Sequence, residues 1–579
     1  MRNPHRLWVF VKCFPQLGIV LLVACIALLL NASVRPALAQ SVPNPTAGTQ
    51  QLHGHLSSAI KQAPLVAHLD ASTSLTLSIG LPLRNQDQLQ AALSAIYDQR
   101  SAQYRHYLTP DQFAAAYAPN EQDYKAVVAF ARSKGLTVNH TFSNRVLVAV
   151  SGTSENVERA FHVTMNTYKR PDGTIFHAPD REPSLDLSTP VLHIGGLENY
   201  ILPHSPLRPV EHVHPMPNAG TAPNGFFGGA DFRNAYAPGV GLNGAGQCVG
   251  LLEYAGFYAN DIILYENQFH LPNVPITTVL LNNFDGSPGT NNSEVPLDIE
   301  MAIAMAPGLK SIVVFEDATS DSYPDTMLSE MAAPTRGEPL CKQLSASWTY
   351  GVDVTGQSLF AEMAMQGQSF FNGSGDSGAY SSDPGDDRDA PYTTVVGGTV
   401  LSMNGNGASW QSETAWSSSG GGILTTVDIP GYQSAVSMSS NYGSTQHRNV
   451  PDVSMIAYGA FIYENNGGTG YQQGTSISAP LWAGFMALVN QQAENCGSSS
   501  IGFANPTLYA IGQNTNKYAA DFHDAQSGNN GTAQKYPAVA GYDLATGWGS
   551  PQPSLINDLS PPTPACTPAP PTNFSATPQ

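Results

Sequence analysis

Five short apolar runs, at 248–254, 278–281, 311–315, 343–348 and 369–372, are separated by stretches with helical spacing. A strand with one wet face alternates polar and apolar residues. These runs are nearly continuous, so both of their faces must be covered. The pattern predicts a parallel sheet flanked by helices over residues 225–560, an α/β domain. Ahead of it, 65–200 reads as a smaller α+β unit. Strand-like alternation at 75–81 is followed by helical spacing at 86–98 through Leu89, Leu93, Ile96 and Tyr97. A second helix opens at Thr109-Pro110, with Thr109 as N-cap and Pro110 in the first position. A third runs over 120–134 and stops at Gly135. Residues 145–150 and 154–161 read as strand then helix.

The chain carries 25 Lys+Arg and 44 Asp+Glu among 579 residues, a formal net charge of −19. No basic run offers phosphates a footprint, which excludes a nucleic-acid partner. The charge is unevenly spread. Residues 40–214 hold 14 acidic and 13 basic residues and 11 of the 15 histidines; residues 215–579 hold 30 acidic and 8 basic residues. A surface built on Gly, Pro and neutral polar groups suits acid, where carboxylates lose charge and ion pairs fail.

Arg2, Arg6 and Lys12 precede a 14-residue apolar run at 17–30, and Ala37-Leu38-Ala39 follows. The run is short for a membrane span, so 1–39 reads as a signal peptide and the protein as secreted, without a stable membrane anchor. Residues 40–56 read as a flexible lead within a 40–200 unit. Residues 201–224, rich in Pro and His, read as an exposed linker, and 561–579 as a mobile Pro-rich tail. Cys248, Cys341, Cys496 and Cys566 remain after export and allow three disulfide pairings.

Three motifs carry chemistry. Gly474-Thr475-Ser476 precedes an apolar helix, which exposes Ser476 among backbone N–H groups at a positive helix end. A Gly turn with a Ser/Thr N-cap would look alike. A serine nucleophile needs a base, yet His270, His447 and His523 lack a suitable setting, and His53 and His55 lie in the lead. Glu294 and Asp298 supply one instead. They are four apart on a helix opened by Ser293 and closed by Pro307-Gly308, and so share a face. Close carboxyls cannot both ionise cheaply, so they share a proton. Glu300 reads as surface. Asp376, in Gly375-Asp376-Ser377-Gly378, follows an apolar strand; protonated, it would donate to an oxyanion. A turn-capping aspartate is the plain alternative.

Together these pieces resemble the sedolisin family of serine-carboxyl peptidases, kumamolisin-like members included. The likeness also takes in Ser345-Ala346-Ser347-Trp348, Val396-Gly397-Gly398-Thr399, Arg448-Asn449-Val450-Pro451-Asp452 and, in the leading unit, Tyr104-Arg105-His106-Tyr107-Leu108-Thr109-Pro110. It implies a subtilisin-like catalytic domain behind a ferredoxin-like activation pro-domain that acts as inhibitor. Glu294 resembles the general base, Asp298 its partner, Asp376 the oxyanion carboxyl and Ser476 the nucleophile. Glu253 and Trp348 match supporting positions. The resemblance also implies one structural Ca²⁺, bound by the Asp524 and Asp543 carboxylates and the carbonyls of Ala525, Val539 and Gly541; the family usually has Gly where Val539 stands. The expected protein is a secreted, monomeric acid endopeptidase, made as a self-processing zymogen and acting on proteins or peptides. A tripeptidyl-peptidase, an inactive surface or calcium-dependent binding protein on this scaffold, and an aspartic protease are the alternatives.

Overall fold

The computed structural model describes residues 49–211, 220–290, 292–319, 323–531, 536–561 and 566. The expected signal peptide, most of the Pro-rich tail and 212–219 of the expected linker lie outside them. The described residues belong to one compact unit.

The leading region runs strand β1 (Ser74–Gly80), helices α1 (Gln86–Tyr97), α2 (Pro110–Ala116) and α3 (Glu121–Ser133), strands β2 (Thr137–Thr141) and β3 (Leu147–Thr153), helix α4 (Ser154–Phe161) and strand β4 (His193–Gly195). The antiparallel sheet order is β2-β3-β1-β4, the arrangement of a ferredoxin-like β-α-β-β-α-β unit. Local chemistry sets the helix starts. Thr109 and Gln112 form a reciprocal capping box on α2, with Pro110 in the first turn. Asn120 caps α3, and Gly135 beyond its end takes φ 81°. The expected flexible lead is in part ordered: Gln50–Gln51 pairs with Ser184–Leu185, and Leu52 is buried.

The large region contains an eight-stranded sheet. Its strands are β5 (Cys248–Glu253), β6 (Ile276–Leu280), β7 (Ser311–Glu316), β8 (Gln343–Ala346), β9 (Ser369–Gly373), β10 (Thr394–Asn404), β11 (Ser409–Ala415) and β12 (Val453–Ile456). The order is β6-β7-β5-β8-β9-β10-β11, with β12 also beside β10. All pairs are parallel except β10–β11. Helices α5 (Glu294–Met305), α6 (Asp325–Ala332), α7 (Val354–Met365) and α8 (Thr475–Asn495) accompany it. Every residue of α5 is buried, as is α8 from Thr475 to Asn490. Burying each large apolar side chain contributes roughly 1.5–3 kcal/mol, so these two helices are held hard against the sheet and each other. Cys248 pairs with Cys341 and Cys496 with Cys566, which decides among the three connectivities.

The Tyr104–Pro110 motif docks the two regions. Tyr107 donates to the Ile501 carbonyl (2.6 Å), the Leu108 N–H to Met365 (3.0 Å) and Arg105 to Leu559 (2.9 Å). Tyr97, the last residue of α1, donates to Ala364 (2.7 Å). The linker is not simply exposed, as the Pro/His composition suggested. His204 exchanges both backbone hydrogen bonds with Thr349 (3.1 and 3.0 Å), and Arg208–Pro209 pairs antiparallel with Gln472–Gln473. A Pro-rich chain has few internal hydrogen bonds to make, so it pairs with the strand edges it crosses.

Candidate active site

Ser476 is the second residue of α8, reached through Gly474, and its side chain is fully buried. Glu294 opens α5, and Asp298 lies one turn on; they are 1% and 0% exposed. Ser293 precedes the helix but makes no side-chain cap, contrary to the sequence reading. It sits in helical backbone, which aims the hydroxyl away from the first N–H groups. Asp376 follows the end of β9, the next strand to β8, and is 2% exposed. The four residues expected from the sequence thus come from two helices and one strand end and come together in the interior, Glu294 interacting with Ser476, Asp376 and Asp298.

The Ser476 hydroxyl faces the Glu294 carboxyl without completing a hydrogen bond to it. Such looseness is common before substrate is bound. The hydroxyl of Ser205, from the linker, does hydrogen-bond to Glu294 Oε2. Behind Glu294, Asp298 Oδ1 accepts from Ser347 Oγ (2.8 Å), and Glu253 Oε2 accepts from Trp348 Nε1 (2.7 Å). Burial raises the Glu294 pKa, and it raises those of Asp298 and Glu253 further with the help of neighbouring carboxyls. Burying a charge in this acidic cluster is unfavourable, so its members hold protons between them. Opposite, Asp376 Oδ1 accepts the Thr475 N–H (2.8 Å) and hydroxyl (3.0 Å), while Oδ2 is buried and unpartnered among the described residues. Burial pushes this carboxyl up to about 7. It can therefore remain a neutral O–H donor in acid.

Glu300 is a correction. It is fully buried, not surface, and its carboxyl accepts the Tyr463 N–H (3.3 and 3.2 Å). Helix α5 is covered all round, so no face of it is left for solvent. Sequence reasoning also missed Ser205 and gave Ser347 and Thr475 no role of their own. Both of the latter stand inside quoted motifs, whereas nothing local marks Ser205. Ser476 Oγ makes no hydrogen bond to His270, His447 or His523; His523 stacks on Trp410 at 3.9 Å.

The proposed calcium ligands cluster in two loops. Asp524 Oδ2 accepts the Gly541 N–H (3.1 Å), and Asp543 accepts N–H groups from Val539, Ala545 and Thr546. Among the described residues no donor reaches the carbonyls of Ala525, Val539 and Gly541. Nor is there any group of three or more His, Cys, Asp or Glu side chains fit for a metal. An ion here would draw on backbone oxygens as much as on carboxylates, and that oxygen-only donor set fits a hard cation such as Ca²⁺.

Residues 61–218 match the family model described as "Pro-kumamolisin, activation domain". The relatives include xanthomonalisin of Xanthomonas sp., 27% identical over 90% of this chain and 69% of its own length. Kumamolisin of Bacillus sp. is 28% identical over 86% of this chain and 94% of its own. Over most of its length this chain is similar to the sedolisin/kumamolisin family, and its leading region matches that family's activation domain. A solved structure of Pseudomonas sedolisin, described as a serine-carboxyl proteinase, superposes with a TM-score of 0.50 at 25% identity, covering 58% of this chain and 97% of its own. The protein is therefore a serine-carboxyl peptidase of subtilisin-like fold, preceded by an activation domain. Relatives named tripeptidyl-peptidase are also found, such as that of Canis lupus familiaris, 23% identical over 85% of this chain and 93% of its own.

Proposed function

We propose that this chain is an exported endopeptidase that works in acid and is made as a self-inhibited zymogen. The observation that carries the reading is that three polar atoms, Ser476 Oγ, Glu294 Oε1 and Asp376 Oδ2, are buried and unpartnered among the described residues, beneath the stretch 204–209 whose Ser205 hydrogen-bonds to Glu294. In this reading Asp298 and Glu253, whose pKa values are raised further, keep the cluster's protons and leave Glu294 the ionised member, which takes the Ser476 proton as the oxygen attacks the scissile carbonyl. Asp298 and Glu253 hold Glu294 and spread the proton's charge. Asp376 Oδ2–H donates to the oxyanion. Glu294 then returns the proton to the leaving amine, and water, activated the same way, releases the acyl group.

The linker supports both the zymogen and the endopeptidase. Ser205 occupies Glu294, the base the reaction needs. Backbone pairing on either side, at Thr349 and at Gln472–Gln473, is how a substrate strand would be gripped. Residues 204–209 lie extended across the site, paired on both sides of Ser205, which suits internal cleavage. A tripeptidyl-peptidase would need an end wall for the substrate's amino terminus. Maturation would cut within 201–224, freeing Glu294. The basic–apolar–small-residue start supports export. Asp524, Asp543 and the carbonyls of Ala525, Val539 and Gly541 would hold a Ca²⁺ that cross-links two loops and stabilises the fold.

The deciding experiment measures cleavage of a long peptide across pH, with product masses, for the wild type and Ser476→Ala. The expected result is internal cuts in acid, a rate falling as pH rises through about 7 as Asp376 loses its proton, and no turnover by the variant. Equal rates at pH 4 and pH 9, or products consisting only of amino-terminal tripeptides, would refute the acid mechanism and the endopeptidase respectively.

A further inference from the structure

The two oxygens of Asp376 are not equivalent. Oδ1 accepts twice from one residue, the N–H and the hydroxyl of Thr475 at 2.8 and 3.0 Å. The direction of the second bond follows from a third. Gly375 N–H donates to Thr475 Oγ1 at 3.0 Å. The hydroxyl is thus an acceptor for the glycine, and among the described residues its own hydrogen has one partner within reach, Asp376 Oδ1. If Asp376 carried its proton on Oδ1 instead, the threonine hydrogen would be stranded, since Thr475 is fully buried. The arrangement that satisfies every group puts the carboxyl proton on Oδ2. Among the described residues that oxygen is buried without a partner, and it lies over Gly474, where a Cβ would come within 2.6 Å of it. Glycine leaves Oδ2 room beside the turn that carries Ser476.

We propose that Thr475 is a positioning residue: its hydroxyl anchors Asp376 Oδ1 and thereby directs the acid proton of Asp376, through Oδ2, at the oxyanion. The inference rests on the reading of Asp376 as oxyanion donor. Thr475 touches neither substrate nor the reacting atoms in this role. It acts by holding one donor in place, and losing a single oxyanion donor costs roughly 10²–10³ in kcat.

The test uses the full chain matured in acid and four variants: Thr475→Val, Thr475→Ala, Thr475→Ser and Asp376→Ala. Peptide cleavage is followed across pH, and affinity for a peptide aldehyde, whose hemiacetal oxygen occupies the oxyanion position, is measured alongside. The expectation for Thr475→Val is a kcat roughly 10- to 100-fold lower with KM within about threefold, and a parallel loss of aldehyde affinity. Its upper pH limb should move to higher pH even as the maximum falls, because the lost hydrogen bond favours the ionised carboxyl. Thr475→Ser should recover to within about threefold of wild type. If Thr475→Val fails to fold, Ser against Ala isolates the hydroxyl, since both lack the γ-methyl. Wild-type kcat in Thr475→Val, or Ser no better than Ala, overturns the inference. Asp376→Ala separates the two levels. If it is inactive while Thr475→Val is normal, only the role of Thr475 falls; if Asp376→Ala is itself fully active, the reading of Asp376 falls with it.

Discussion

The leading region and the catalytic region bury titratable groups of opposite kinds. In the first the groups that burial shifts near neutral pH are mainly histidines, with Glu198 as an exception whose carboxyl burial raises. Burial, helped by the neighbouring His193, lowers the His55 pKa from 6.5 to about 4, and burial also lowers His177 and His140. In the second they are carboxyls. Burial raises Asp376 to about 7 and Glu316 and Glu362 to about 8, and raises Glu294, Asp298 and Glu300. The physics is one: burial disfavours charge, so histidine gives up its proton and carboxyl keeps it. The consequences for stability are opposite. A lowered histidine binds fewer protons when folded, so its contribution is intact above about 6.5 and drains as pH falls toward 4. A raised carboxyl binds more protons when folded, so its contribution is intact below about 4 and drains as pH rises toward 7 or 8. In the proposed function, acid would therefore loosen the leading region while it suits the catalytic one.

The two kinds of group meet where the regions touch. His55 stacks on His193 at 4.0 Å, and His193 Nδ1 lies 2.6 Å from Asp353 Oδ2 of the catalytic region. Next to them Ser78 donates to Asp325 (2.5 Å). His55 Nε2 accepts the Ile194 N–H (3.1 Å), and Nδ1 faces Glu182 (3.2 Å). A second proton on His55 would displace the Ile194 bond and so disturb β4, the strand that presents His193 to Asp353.

This contrast can be broken or sharpened in several ways. The largest effect belongs to Glu294→Ala, which should lower kcat by roughly 10³-fold, as expected for loss of a general base; steady-state peptide cleavage at pH 4 checks it. Next is the pH limb of the wild type: kcat/KM should be about tenfold lower one unit above the Asp376 pKa than well below it. A flat profile from pH 6 to 9 would remove the acid preference of the catalytic half. His55→Gln should spare the precursor about 3 kcal/mol of the stability otherwise lost between pH 6.5 and 4. Denaturant unfolding of the uncut Ser476→Ala precursor at both pH values reads it, and an unchanged pH slope would break the histidine half. Chelation of Ca²⁺ from the mature enzyme should lower its Tm by several degrees, about 1–2 kcal/mol, and Asp543→Ala should abolish that response. The smallest effect is Glu300→Gln: within about 1 kcal/mol of wild type at pH 4, where the acid is already neutral, and more stable than wild type at pH 8.

Much of this was legible along the chain. The continuous apolar runs predicted the parallel sheet because strands buried on both faces leave no polar alternation. Thr109, Asn120 and Gly135 marked helix ends because caps are satisfied within a few residues. Ser476, Glu294, Asp298 and Asp376 stood out because each sits in a short motif with its own chemistry. Glu300 was misread because a carboxyl on a helix is nearly always solvated, and only the packing of α5 on all sides overrides that. Ser293 looked like a cap, but its backbone conformation, set by the loop before it, decides against one.

The sequence by itself determined the layers, the helix boundaries and the candidates for the reacting groups, since these follow from local periodicity and residue type. The tertiary structure alone decided that Cys248 pairs with Cys341, that Ser205 reaches Glu294 from 89 residues away, and which oxygen of Asp376 is left free. It also decided that histidines and carboxyls are buried rather than merely present. Burial and long-range hydrogen bonding depend on what the rest of the chain places nearby, and no local pattern encodes that.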